Sequence, residues 1–321
     1  MHLPPGRSCS LAAAPSDYNP ALMSWFHRSV VTILPFVPRP IMRRLSARYI
    51  AGEELEEELD KLADMARRGF PGILDILGEG VKDEAHARAA LQSYLQAAEA
   101  LHARGLEAYV SVKPTHFGLT LSEPLALELY TSLAGRLGEL GLFLRVEMED
   151  HPTTDATLRV FETLRRQFDH VGLVLQSRLF RTPDDIRSLA PGPLDVRMVK
   201  GIYLEPPEIA HVDPEPIRDA FVEQCAQLFE RDATVAFATH DAVLGERLIE
   251  LVRSRRIPSE RYEFQVLLGV QEPLWERWKA DGHRVRVYVP YGPEWLAYSL
   301  RRLKKNPQIL SNVMRAALRL P

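Results

Sequence analysis

The apolar and polar positions of this chain change period repeatedly. In 53-EELEEELDKLADMARRG-69, Leu55, Leu59, Leu62 and Met65 recur every three or four residues, with acids early and arginines late, which predicts a helix. Short branched and apolar runs follow at 72-GILDILG-78, 108-AYVSVKP-114, 143-FLRVEME-149, 171-VGLVLQS-177, 195-DVRMVKG-201, 235-VAFATHD-241, 262-YEFQVLLG-269 and 284-RVRVYVPYG-292. Helical patterns separate them, for example at 85–105, 125–140, 155–168 and 243–254. Alternating strands and helices imply right-handed crossovers and a parallel sheet. Eight such units predict an α/β fold, a (β/α)8 TIM barrel with an N-terminal helical extension and a final helix over the barrel mouth. The alternative is an open doubly wound sheet, which lacks support because no GxGxxG follows an early strand.

Residues 1–22 read as a loose tail without the pattern of a secretory signal, and Met23 is an alternative start. Residues 23–70 read as a helical arm and 71–321 as the catalytic barrel. The segment 24-SWFHRSVVTILPFVPRPIMRRL-45 is broken by Arg28, Pro35, Pro38 and Pro40, short of the ~20 apolar residues of a membrane span. It either packs on the domain as a helix or lies in a bilayer interface. The stretch 204-LEPPEIAHVDPEPI-217 reads as a long loop at the top of the barrel, where lids belong.

An apolar fraction of 46% and a charged fraction of 26% in 321 residues suit a folded domain with a substantial core. A formal charge of −3, without basic patches interleaved with aromatics, argues against nucleic acid as a partner. Cys9 and Cys225 form no CxxC, and the ten histidines no HxH or HExxH, so neither a disulfide framework nor a metal site is signalled. A reducing cytoplasm fits.

The site of such a barrel lies at the carboxyl ends of its strands. The polar residues closing each run are therefore the candidates: Lys113, Glu147 and Glu149, Gln176, Arg197 and Lys200, Thr239 and His240, Gln265, and Tyr288. Lys113 either snorkels to solvent or requires a carboxylate, for which Glu147 is the expected partner. Gln176 and Gln265 either satisfy the core or read the edge of a flat heterocycle. His240 reads as a core or cofactor-contacting histidine, since no serine or cysteine nucleophile accompanies it. Arg301 and Arg302 follow Tyr298 at helical spacing, as a solvated pair or as a bidentate grip on a carboxylate walled by Trp295 and tyrosines.

With these residues in view, the chain resembles bacterial monofunctional proline dehydrogenases over roughly residues 50–315. Tyr288, Tyr298, Arg301 and Arg302 match a YxPxG…Y..RR pattern, and 197-RMVKGIY-203 matches R-x-V-K-G-x-Y. Supporting matches are 73-ILDILGE-79, Lys113 in VSVK, 173-LVLQ-176, 237-FATH-240 and 263-EFQVL-267. The resemblance implies FAD-dependent oxidation of L-proline to 1-pyrroline-5-carboxylate by hydride transfer, with electrons passed to a quinone. It implies that Arg301, Arg302 and Lys113 clamp the carboxylate of proline. Tyr203, Leu267, Tyr288 and Tyr298 would cage the ring, and Glu147 stands where the family places its strand-three aspartate. Flavin contacts would come from Gln176, Arg197, Val199, Lys200, Gly201, Thr239, His240 and Gln265.

Two positions depart from the pattern. Glu147 is one methylene longer than the family's aspartate, and Lys305 replaces a glutamate three residues after the second arginine. Hydroxyproline is the rival substrate, against which the bulk of Tyr288 argues. A Schiff-base aldolase or lyase using Lys113 or Lys200 is the rival chemistry. The resemblance also implies a cytoplasmic protein with peripheral contact at the inner face of the membrane. With no aldehyde dehydrogenase domain in this sequence, a separate 1-pyrroline-5-carboxylate dehydrogenase is the expected partner.

Overall fold

The computed structural model describes residues 42–43, 46–203 and 205–305, the side chains of 301–305 excepted. The chain divides into two compact units, Arg43–Tyr298 on one hand and Met1–Met42 with Ser299–Pro321 on the other. The first is built as a barrel. A helix, α1 (Leu55–Arg67), precedes β1 (Gly72–Ile76), and units follow as α2 (Glu84–Ala103), β2 (Ala108–Val112), α3 (Glu123–Glu139), β3 (Leu144–Val146), α4 (Thr154–Arg165) and β4 (Val171–Gln176). The second half runs α5 (Thr182–Ser188), β5 (Asp195–Val199), α6 (Pro214–Glu230), β6 (Thr234–Ala238), α7 (Ala242–Ser254), β7 (Tyr262–Leu267), α8 (Glu272–Ala280) and β8 (Val285–Tyr291). A last helix, α9, spans Trp295–Lys305.

All eight strands pair in parallel and in order, and β1 closes on β8 through Gly72↔Val287 and Leu74↔Val289. The expected closed barrel is what forms. Several strands end earlier than the apolar runs suggested, because the backbone there is taken over by side chains. Thr115 N–H donates to the Glu149 carboxylate, and Asp241 N–H to Thr239 Oγ1. The loop after β5 is also shorter than expected at its far end: Pro214 opens α6, a position where a missing N–H costs nothing.

The strands' outward side chains join a continuous core with the helices, including Leu59, Leu62 and Met65 of α1, Phe237, Phe264, Trp275 and Trp278. The interior differs from the stacked aliphatic layers usual in such barrels. It holds the ion pairs Lys113–Asp75, Arg145–Asp195, Arg197–Glu147 and Arg286–Glu263, four cations against four anions. Several of their hydrogen bonds join strands that are not neighbours in the wall, such as Arg197 on β5 to Tyr109 on β2 and to Gln265 on β7. Such bonds run through the interior. Space for these guanidiniums comes from small residues. A Cβ on Gly172 would lie 2.4 Å from Arg145 Nη1 and 2.8 Å from the Asp195 carbonyl oxygen.

Candidate active site

At the mouth, Lys113 follows β2 directly and donates to both oxygens of Asp75 at 3.2 Å. Asp75 is 1% exposed. The expected partner, Glu147, is thereby corrected: β1 is as near to β2 as β3 is, and its aspartate points inward beside the ammonium. Burial pushes Asp75 up to about 6, against the pull of Lys113 and with the push of Glu147. Burial works against the Lys113 ammonium as well, but Asp75, Glu147 and Glu149 together outweigh it and hold the amine above its ordinary value. Lys113 is a charged, partly buried lysine, its side chain 16% exposed.

Glu147 instead serves Arg197. It accepts from Nη1 at 2.5 Å, from Ser111 Oγ, and from the Tyr288 hydroxyl at 3.3 Å. Burial alone would raise its carboxyl; Arg197 and Lys113 reverse this and leave it below the usual range. The Arg197 guanidinium carbon lies 5.3 Å from the centre of the Tyr288 ring. Arg197, Gln265 and Tyr288 lie within β5, β7 and β8 rather than at the rim, so they form a layer beneath Lys113. Tyr298 is close enough to Tyr288 for the two phenols to feel each other's charge, and burial pushes the Tyr288 hydroxyl well above the ordinary tyrosine value. Tyr203 lies within electrostatic reach of Glu149, Glu79 and Glu147, and Arg178 donates to its carbonyl oxygen.

Across the barrel, Gln176 at the end of β4 donates from Nε2 to the Glu149 carbonyl at 2.7 Å. Its Oε1 is buried and has no donor among the described residues. Gly201 stands beside it with φ +96°, and a Cβ there would lie 2.7 Å from that oxygen. The glycine is needed for both its left-handed backbone and the space. Val199 pairs in register with Gln176, and Ser177 N–H donates to the Val199 carbonyl at 2.8 Å. Thr239 N–H reaches the Gln265 carbonyl at 3.2 Å, and His240 Nε2 accepts from Leu267 N–H at 2.7 Å. Lys200 does not face a free site: its ammonium is held by Asp241, which Arg218 also grips at 2.6 Å.

The structure thus gathers Lys113, Glu147, Tyr203, Tyr288 and Tyr298 on one side, and Gln176, Val199, Gly201, Thr239, His240, Gln265 and Leu267 on strand ends that complete the ring. The side chains of Arg301 and Arg302, and that of Lys305, lie outside the described residues, as do the tail at 1–22 and residues 23–41, 44 and 45 of the expected arm; only the helical backbone of α9 is given at the two arginines. Sequence reasoning passed over Asp75, Tyr109 and Ser111. Asp75 had a signal, a lone carboxylate inside the apolar run GILDILG, where a charge is buried only if paired.

With this geometry established, comparisons place the chain among known proteins. A family profile described as Proline dehydrogenase matches residues 59–315. A Proline dehydrogenase of Deinococcus radiodurans is 34% identical over 286 residues, 88% of this chain and 92% of that one. Proline dehydrogenase 1 of Bacillus subtilis is 31% identical over 278 residues, 86% and 92% of the two chains. Among solved structures, proline utilization A (PutA) from Bdellovibrio bacteriovorus superposes with a TM-score of 0.80 at 22% identity, over 89% of this chain. The chain spans 38% of that longer protein, and the likeness is one of fold.

Proposed function

The chain belongs to the proline dehydrogenase family, and on that premise we propose that it oxidises L-proline to 1-pyrroline-5-carboxylate with FAD as its cofactor, passing the electrons to a quinone. One observation carries the cofactor reading. The orphaned Gln176 oxygen, buried beside the open space at Gly201, calls for an N–H from a ligand, and the edge of an isoalloxazine supplies one. Val199, Gly201, Thr239, His240, Gln265 and Arg197 would complete that cradle. Lys200 would act there indirectly, by tying the loop after β5 to Asp241.

When bound, FAD supplies the two-electron acceptor for a hydride from the ring carbon next to the proline nitrogen. The protein's part is to hold the substrate and set its charge. Lys113, kept protonated by Asp75, would take the carboxylate together with Arg301 and Arg302. Tyr203, Leu267, Tyr288 and Tyr298 would enclose the pyrrolidine ring and exclude water. Cations around the carboxylate lower the affinity of the amine for its proton, so the nitrogen enters the reaction neutral.

The Schiff-base alternative needs a neutral lysine, and Lys113 is held charged while Lys200 is held by Asp241. The bulk of Tyr288 favours proline over hydroxyproline. Leu121, Phe180, Ile202, Val212 and Val243, the large apolar side chains most exposed among the described residues, all follow strand ends at the mouth. They support peripheral contact with a quinone-bearing membrane, while no helix of the described residues is long and apolar enough to cross one. A separate 1-pyrroline-5-carboxylate dehydrogenase would take the product.

The purified chain is expected to bind FAD, show its visible spectrum, and bleach on addition of proline, faster than with hydroxyproline. A colourless protein that neither binds FAD nor oxidises proline overturns the assignment. Flotation with quinone-containing liposomes is expected to carry part of the protein upward, and a wholly soluble distribution would reject the membrane contact.

A further inference from the structure

Tyr109, on β2, has no part in the function proposed above, yet two of the expected flavin contacts converge on its hydroxyl. Its Oη accepts from Arg197 Nη2 at 3.0 Å and from Gln265 Nε2 at 2.7 Å. A guanidinium has five N–H bonds. On Arg197, Nε donates to Gln265 Oε1 at 2.6 Å, Nη1 to Glu147 at 2.5 Å and to Ser111 Oγ at 3.3 Å, and Nη2 to Tyr109. These partners leave one N–H, on Nη2. The two N–H bonds of that planar nitrogen diverge by about 120°, so the one Tyr109 takes fixes the direction of the other.

Gln265 is settled in the same way. Its two amide hydrogens go to Tyr109 and, at 2.6 Å, to Glu263 Oε1. A flipped amide would set its oxygen against the Glu263 carboxylate and its NH2 against the Arg197 N–H. What Gln265 retains is one lone pair on Oε1. Tyr109 itself is fixed: it is 6% exposed, Phe143 meets its ring edge-on at 5.3 Å between centroids, and the Arg145 and Arg286 guanidinium carbons lie 5.5 and 4.8 Å from its centre.

We infer that Tyr109 is a positioning residue, whose hydroxyl fixes Arg197 and Gln265 so that one N–H donor and one amide lone pair remain for the flavin. The inference rests on the FAD reading of this site. It is tested with Tyr109→Phe in the full chain, which keeps the ring and its contacts with three arginines and removes only the shared acceptor. The variant is expected to melt cooperatively, to bind FAD roughly tenfold more weakly by flavin fluorescence quenching, to shift the flavin reduction potential, and to lose kcat more than KM for proline. Its crystal structure is expected to show Arg197 or Gln265 in a changed rotamer. Unchanged FAD affinity, potential and side-chain positions would overturn the inference. Should the parent chain take up no flavin, the function proposed above fails, and the variant's crystal structure still decides whether Tyr109 holds the two side chains.

Discussion

At the scale of single residues, burial raises two carboxyls, Asp75 and Glu58, and each leaves its own mark on pH dependence. Asp75 ionises near 6, so its grip on the Lys113 ammonium is present above that pH and fades below it. The pH profile of kcat/KM for proline is expected to rise through about 6, and Asp75→Asn to remove that limb and leave a low, flat rate. For folding the sign reverses. An unfolded aspartate ionises near 3.8, so stability from this group is present below that value and is lost as pH rises towards about 6. Glu58, on α1, is wholly buried, and neither of its oxygens has a hydrogen-bond partner among the described residues. Burial, with Asp75 adding to it, pushes its carboxyl well above the usual range. Glu58→Met is therefore expected to stabilise the protein at neutral pH by about 1–3 kcal/mol in chemical denaturation. The gain should shrink as pH falls into the ordinary glutamate range, where the unfolded chain is protonated too.

At the scale of elements, β3 and β4 show how a strand makes room for a charge. Arg145 lies flat inside the barrel, donating to Asp195 Oδ1 at 2.6 Å and to the carbonyls of Asp195 and Leu173 at 2.9 and 3.2 Å. It does so only because its register partner is Gly172. Gly172→Ala would press a methyl group into the guanidinium and a backbone carbonyl, neither of which can yield cheaply. A loss of about 2–4 kcal/mol, read by thermal or urea denaturation, is expected. The charges inside FLRVEM and RVRVYV were visible in the sequence, but the sequence left their faces open. Both faces of a barrel strand are covered, one by helices and one by the opposite wall, so alternation of polar and apolar residues does not mark solvent here.

At the scale of the whole molecule, Arg197 ties β5 to β2, β3 and β7, and Glu147 joins that tie to β8 through Tyr288. Removing one partner strands a charge in the interior. Arg197→Met is expected to cost about 3–5 kcal/mol in chemical denaturation, and the added change Glu147→Leu to return much of it, because the pair's desolvation disappears with both charges. The reach of Glu147 is used in this network, where it meets Arg197, Ser111 and Tyr288 at once.

The order of the strands, the closure of the barrel and most of the strand-end polar residues were legible in the sequence, because burial of apolar runs at regular spacing is a local signal that each segment carries by itself. The partner choices were not. That Lys113 pairs with Asp75 and not Glu147, that Lys200 is occupied by Asp241, and that Gln176 keeps an oxygen without a donor depend on which inward side chains meet across the barrel. Many residues that meet there lie far apart along the chain, 38 positions for Asp75 and Lys113 and 156 for Tyr109 and Gln265. Only closure of the cylinder brings them within hydrogen-bonding distance, and the low dielectric inside then decides which pairs of charges stand together.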